Sequence, residues 1–178
     1  MTEEEIIKRL IHSNDTSAFS LLYDKYADKI YHKCISFVKD KQLAQDLTHD
    51  IFVKIFITIK KFKFQSSFST WVYRITYNFC IDFLRKQQKQ QFIRLEDDND
   101  TSILEEEESD DELFAISVDR LELILEQIAP EEKAILLMKY QDDLSIKDIA
   151  DALDISESAT KMRLKRAKEK VIHISKQM

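Results

Sequence analysis

The sequence predicts an all-α protein of two small helical domains, an N-terminal four-helix domain and a C-terminal helix-turn-helix domain, joined by an acidic linker. Three observations lead there. The 178 residues contain no glycine and a single proline, Pro130, where average usage of about 7% would supply roughly a dozen glycines. Tight hairpins, G-x-G-x-x-G turns and Walker loops all need residues this chain lacks. Apolar residues recur at spacings of three and four, the helical period. Charge is segregated: residues 1–91 hold 15 Lys/Arg against 10 Asp/Glu, residues 92–119 hold one base (Arg94) and 12 acids, and residues 120–178 hold 11 of each. The formal charge of −6 therefore belongs to the middle, the pattern of two bodies and a tether.

Each element follows from local signals. Thr2 with Glu5 reads as a capping box opening a first short helix. A second starts near Asp15 or Thr16 and runs to about Val38, with Phe19, Leu22, Tyr23, Tyr26, Ile30 and Cys34 at helical spacing. Asp40 caps a third, through Leu43, Leu47, Ile51, Ile55 and Ile59. A loop around KKFKFQSS follows, then a fourth helix over roughly 68–88. Residues 94–117 combine like charge with no sustained periodicity, so they read as a flexible tether. Beyond it RLELILEQI is a helix, and Pro130 at a first-turn position opens another, with Glu131 and Glu132 suited to its positive end. Ser145 with Asp148 caps a short helix ending near Leu153, and Ser156 caps the last. With no glycine available, Asn and Asp are left to take the left-handed positions that helix ends require.

Several function classes find no support. The opening MTEEEIIKRL carries three glutamates and no apolar run, unlike a signal peptide. Nowhere do 18 apolar residues run together, so no membrane insertion is expected. Cys34 and Cys80 stand alone without C-x-x-C spacing, which suits a reduced, cytoplasmic chain. His12, His32, His49 and His173 form no ligand-spaced pair. No paired carboxylates or nucleophile–base arrangement stands out. No metal, cofactor or catalytic site is expected.

The stretch LSIKDIADALDISESATKMRLKRAK has helix-turn-helix spacing. At about 100° per residue, Thr160, Leu164, Ala167 and Val171 fall within roughly 40° of one another and face inward. Ser158, Lys161, Met162, Lys165 and Glu169 lie opposite, flanked by Arg166. Lys161 to Lys176 hold seven bases and one acid, the layout a recognition helix needs. A basic helix solvated on one face is the plainer alternative. Asp154 stands in the turn where glycine is usual, implying a left-handed residue there.

The stretch FQSSFSTWVYRITYNFCIDFLRK packs seven aromatic rings into 23 residues. On a helical wheel Phe68, Val72, Ile75, Phe79 and Phe83 share one side, and Tyr73, Tyr77, Cys80 and Leu84 form a second apolar sector. Arg74, Asn78, Asp82 and Arg85 remain as a polar strip with Trp71 at its edge. From Ile51 to Ile81 there is no acid, while Lys54, Lys60, Lys61, Lys63 and Arg74 supply five positive charges. Bases interleaved with rings suit single-stranded nucleic acid; an aromatic core explains the rings equally well.

DLTHDIFVKIF, then FKFQSSFSTWVYRITYNFCIDFLRK, then the C-terminal helix-turn-helix closely resemble a bacterial RNA polymerase sigma factor of the sigma-70 family, extracytoplasmic-function type. The resemblance covers essentially the whole chain, with region two first and region four last. It implies a promoter-specificity subunit without an active site, whose partners are core RNA polymerase, promoter DNA (duplex and melted non-template strand) and an anti-sigma factor. It implies a region-two-like domain over 1–91, a linker over 92–119 and a region-four-like domain over 120–178. Asp46, Leu47, Asp50 and Phe52 match the helix that docks on the polymerase clamp, although Asp50 and Lys54 are also i,i+4 partners. Phe62, Lys63, Phe64, Gln65, Ser66 and Ser67 match the loop that captures a flipped base of the minus-ten element. Trp71, Arg74, Asn78 and Arg85 match the helix along which that element melts. Ser158, Lys161, Met162, Arg163, Lys165 and Arg166 match the reader of the minus-thirty-five element. His49 stands where glutamine is common, and Phe64 and Gln65 stand where glycine and glutamate are usual, which bears on promoter preference. The competing reading is a stand-alone helix-turn-helix regulator with an N-terminal oligomerisation or ligand domain.

Overall fold

The computed structural model describes residues 1–89 and 110–178, and among them every regular element is helical. They divide into two compact units, Met1–Leu84 with Asp151–Asp154 and Arg85–Ala150 with Ile155–Met178.

The first unit carries α1 (Glu3–Ser13), α2 (Thr16–Val38), α3 (Lys41–Thr58) continued by a 3₁₀ turn (Ile59–Lys61), and α4 (Phe68–Lys89) as far as Leu84. Side chains start the helices by satisfying first-turn N–H groups, each contributing about 1 kcal/mol. The Thr2 hydroxyl accepts the Glu5 N–H at 3.3 Å while the Glu5 carboxylate accepts the Thr2 N–H at 2.7 Å. Asp15 takes the Ser17 N–H at 3.0 Å, and Asp40 takes that of Leu43 at 2.8 Å. Without glycine, α1 ends on Asn14 at φ 51° and α2 on Lys39 at φ 55°.

Helix α2 packs against α1 and α3 and buries Leu22, Tyr26, Ile30, Cys34 and Phe37 completely, or nearly so. Helix α3 supplies Leu47, Ile51 and Ile55 to the same core, and α4 supplies Phe68, Val72, Tyr77 and Cys80. Each such side chain contributes about 1.5–3 kcal/mol. Buried polar groups are partnered: Thr48 and Thr76 donate to the carbonyls four residues back, at 2.6 and 2.9 Å. Lys33 of α2 is buried with Nζ 4.2 Å from the centroid of Tyr73 of α4, so the ring face takes part of the role water would play. Cys34 and Cys80, isolated in the sequence, become neighbours, two free buried thiols with Sγ atoms 3.9 Å apart.

The second unit carries α5 (Asp111–Phe114), α6 (Val118–Leu125), α7 (Pro130–Leu136) extended by a π turn (Leu137–Gln141), α8 (Ile146–Leu153) as far as Ala150, and α9 (Glu157–Gln177). Helix α9 packs on α6 and α7 around Ile124, Ile135, Met138, Ile149, Ala167 and Val171, all buried. Pro130 sits at the start of α7, and Glu132 accepts the Ala129 N–H at 2.9 Å. Ser145 and Ser156 cap α8 and α9, accepting from Asp148 and Ala159 at 3.0 and 3.1 Å.

The expected tether over 92–119 lies outside the described residues as far as 109. Its last ten residues depart from the expectation. Residues Asp111–Phe114 form α5, Leu113 is buried, and Ser117 caps α6 by accepting the Arg120 N–H at 3.4 Å. Asp110 accepts from the Tyr140 hydroxyl at 2.9 Å and from Lys168 Nζ at 2.8 Å. These partners stand 30 and 58 residues away in sequence, so the order comes from tertiary contacts with no local periodicity to announce it.

Candidate nucleic-acid interface

The loop between the 3₁₀ turn and α4 is built on an aromatic column. Phe62, 6% exposed, is the hub, with ring centroids 4.8 Å from Phe64, 5.3 Å from Phe68 and 5.5 Å from Trp71. Phe68 continues inward to Tyr26 at 5.6 Å. The column fixes the outer rings: Phe64 is 43% exposed and Trp71 is half-buried. Phe64 is at φ 55°, a conformation glycine adopts without cost and a bulky residue does not. The chain thus places a ring where the backbone asks for none.

Lys63, Gln65, Ser66 and Ser67 are exposed, as are Lys54, Lys60 and Lys61 nearby in sequence. Ser67 has a structural task, since its hydroxyl accepts the Thr70 N–H at 3.1 Å and caps α4. Along α4, Arg74, Asn78, Asp82 and Arg85 are exposed, while Val72, Thr76, Tyr77, Cys80 and Ile81 are buried. The helix therefore presents one polar strip beginning beside two outer rings. Cations that follow a phosphate backbone and rings that receive unpaired bases are what single-strand binding requires.

Helix α3 corrects part of the expectation. Asp46 and Asp50 are exposed, Asp46 accepting from Gln42 Nε2 at 3.2 Å. Leu47 and Phe52, at 3% and 4% exposure, belong to the core, and the Phe52 ring meets Phe19 and Tyr23 of α2 at centroid distances of 6.0 and 4.5 Å. Only the two aspartates present side chains outward. A different set of apolar side chains does face outward: Leu21 and Tyr23 of α2 and Val53, Phe56 and Ile57 of α3 are exposed, Ile57 at 68%. Phe19 joins the two helices, its ring centroid 5.0 Å from Phe56. The signal was present in IFVKIFITI, which is apolar around the whole helix rather than on one face. An apolar surface of this kind asks for a partner.

Helices α8 and α9 enclose a three-residue turn with Asp154 at φ 55°, and the Ile155 N–H closes it on the Ala150 carbonyl at 3.1 Å. Thr160, Leu164, Ala167 and Val171 are buried. Ser158, Lys161, Met162, Arg163 and Arg166 are exposed, and Lys165 is half-buried with Nζ 3.9 Å from Glu169. The basic run divides by task. Lys168 pairs with Asp110 at 2.8 Å, Lys170 with Glu132 at 3.0 Å and Lys176 with Glu112 at 3.3 Å, tying α9 into its own unit. The bond from Lys168 holds the Asp110 carboxyl below its ordinary range, against the upward push of burial. The N-terminal half of α9 is left as the outward, donor-rich face.

A model of Sigma-70 region 2 matches residues 22–90, and one of Sigma-70, region 4 matches residues 119–171. The chain belongs to the sigma-70 family. It is 28% identical over 177 residues to the ECF RNA polymerase sigma factor SigW of Bacillus subtilis (strain 168), covering 94% of this chain and 95% of that one. It is 29% identical over 147 residues to SigX of the same strain, covering 80% and 76%. Among solved structures it is similar to CnrH in complex with the cytosolic domain of CnrY, with a TM-score of 0.67 at 16% identity over 98% and 97% of the two chains. It is also similar to the sigma factor RpoE in complex with the anti-sigma factor NepR from Bartonella quintana, with a TM-score of 0.62 at 17% identity over 89% and 96%. In this sigma-70 chain the aromatic column and the α4 strip fall within the region 2 match, and the outward face of α9 falls within the region 4 match. Helix α1 precedes both. Among the described residues, no helix is long and apolar enough to cross a membrane, and no three His, Cys, Asp or Glu side chains are grouped to hold a metal.

Proposed function

We propose that this chain is the promoter-specificity subunit of RNA polymerase, working in the cytoplasm with three classes of partner: core polymerase, promoter DNA and an anti-sigma factor. The observation that carries the reading is the pairing, in one sigma-70 chain, of a presented ring at Phe64 with a basic outward face on α9. Residues 1–91 act on polymerase and the minus-ten element, and 120–178 on the minus-thirty-five element, with 92–109 as the acidic connection. Asp46 and Asp50 dock on the polymerase clamp, and the exposed apolar residues of α2 and α3 extend that surface. Leu47 and Phe52 support it from beneath.

On DNA, Phe62 steadies the Phe64 ring, an unpaired base of the non-template strand stacks there, and Trp71 flanks the strand at the start of α4. Lys63, Gln65 and Ser66 line the loop, Ser67 fixes its junction with α4, and Arg74, Asn78 and Arg85 follow the strand. Extruding a base costs a few kcal/mol and stacking returns about 1–3 kcal/mol per base, so melting proceeds only with polymerase contributing further contacts. Ser158, Lys161, Met162 and Lys165 read base edges of the upstream element, and Arg163 and Arg166 contact phosphates. The test is reconstituted transcription with purified core polymerase and genome-wide mapping of start sites. Initiation at positions sharing two spaced elements is the expected result, and initiation no more selective than by core enzyme alone would refute it.

A further inference from the structure

Helix α1 lies before the region 2 match, which begins at residue 22, yet its side chains reach both ends of the strand-capture loop. At one end Lys8 Nζ lies 5.9 Å from the centroid of the Phe64 ring, while also pairing with Glu4 at 2.5 Å. At the other end, Glu3 Oε1 accepts the Tyr26 hydroxyl at 2.6 Å, and the same hydroxyl lies 2.9 Å from Ser69 Oγ in the first turn of α4. Lys25 Nζ stands 2.9 Å from Glu3. Burial pushes the Glu3 carboxyl up, but Tyr26 and Lys25 together hold it below its ordinary range, so the acceptor is charged. Helix α1 is a firm base for these groups, because Ile6, Ile7 and Leu10 are buried and it packs against the turn Ile59–Lys61 that leads into the loop.

From this placement we propose that α1 is a working part of the strand-capture site: Lys8 is a positioning residue that holds the Phe64 ring ready for an unpaired base, and the Glu3–Tyr26–Ser69 chain fixes the start of α4. The physical reason is preorganisation. Phe64 projects from a left-handed backbone position with Phe62 beside it, and a cation over its face restricts the side chain before the strand arrives. Torsional freedom lost in advance is not lost again on binding. This rests on the stacking role proposed for Phe64, and the two fail differently.

The experiment is a double-mutant cycle read by holoenzyme binding to a fluorescent single strand that carries the minus-ten sequence found by start-site mapping. The variants are Lys8→Met, Lys8→Arg, Phe64→Ala and Lys8→Met with Phe64→Ala. Lys8→Met should weaken binding about twofold to fivefold, the range for an exposed cation over a ring. Lys8→Arg should restore it. In the Phe64→Ala background the Lys8→Met loss should vanish, since coupled neighbours are not additive, and the salt dependence should stay unchanged because Lys8 meets no phosphate. Unchanged affinity for Lys8→Met would overturn the proposal. So would an additive loss with a shallower salt slope, which would make Lys8 an independent phosphate contact. Equal strand affinity for wild type and Phe64→Ala would overturn the stacking role itself, and this proposal with it.

Discussion

Replacing Phe64 by glycine and, separately, by alanine distinguishes what the residue does for folding from what it does for DNA. The φ of 55° places a bulky side chain in the left-handed region, which costs about 1–2 kcal/mol relative to the right-handed one. Its favourable contacts are the Phe62 ring at 4.8 Å and Lys8 at 5.9 Å, together about 1–2 kcal/mol at a half-exposed site. Glycine removes strain and contacts alike, so Phe64→Gly should leave folding stability within about 1 kcal/mol of wild type. Alanine removes the contacts and keeps the strain, so Phe64→Ala should be the less stable of the two by about 1 kcal/mol. Both lack the ring, and holoenzyme carrying either should lose the same roughly 1–3 kcal/mol of affinity for the minus-ten single strand. Denaturant melts and strand binding on the same variants supply the data. Refutation has a clear form: a loss of about 3–5 kcal/mol in folding stability for Phe64→Gly, the cost of truncating a core phenylalanine, or unchanged strand affinity.

Three further predictions concern other parts of the chain. Lys161→Ala and Lys165→Ala should each weaken binding to the upstream element by about 1–3 kcal/mol, whereas Arg166→Ala should mainly lower the salt slope by about one contact; titrations at several salt concentrations separate the two. Asp110→Asn should lower the melting temperature at neutral pH. A carboxyl held low by Lys168 contributes stability above its unfolded pKa of about 3.9, and loses it as pH falls through the folded value. The gap between wild type and variant should therefore close on acidification below about pH 4, as followed by thermal melts from pH 7 to 3. Lys39→Gly, at the left-handed end of α2, should raise stability by about 0.5–1 kcal/mol, read as a shift in denaturant midpoint.

Local chemistry made much of this legible in the sequence. Thr2 with Glu5, Asp40 and Ser156 mark helix starts because a cap needs only residues three apart, and the inward seam of α9 follows from its period alone. Asp154 in the turn implies a left-handed residue, and φ is 55° there. What could not be read depends on partners distant in sequence. Periodicity says which side of α3 is apolar, not which of its apolar residues α2 covers, so the burial of Phe52 and the exposure of Phe56 and Ile57 do not follow from the pattern alone. The order at Asp110 depends on Lys168, 58 residues away. Lys33 reads as an ordinary surface lysine until Tyr73 is brought over it. Composition points to Asn and Asp for the left-handed positions, yet Lys39 and Phe64, both exposed, also occupy them.

The central claim is that specificity belongs to the chain joined to polymerase rather than to the chain alone. Equilibrium binding of a mapped duplex promoter, measured at physiological salt with the free protein and again with core enzyme added, tests it most directly. The account predicts binding by the free protein no tighter than the non-specific range of about 10⁻⁴ to 10⁻⁶ M, and specific binding at about 10⁻⁸ M or tighter with polymerase present. Nanomolar, sequence-specific binding by the free protein would contradict it and return the stand-alone regulator to first place.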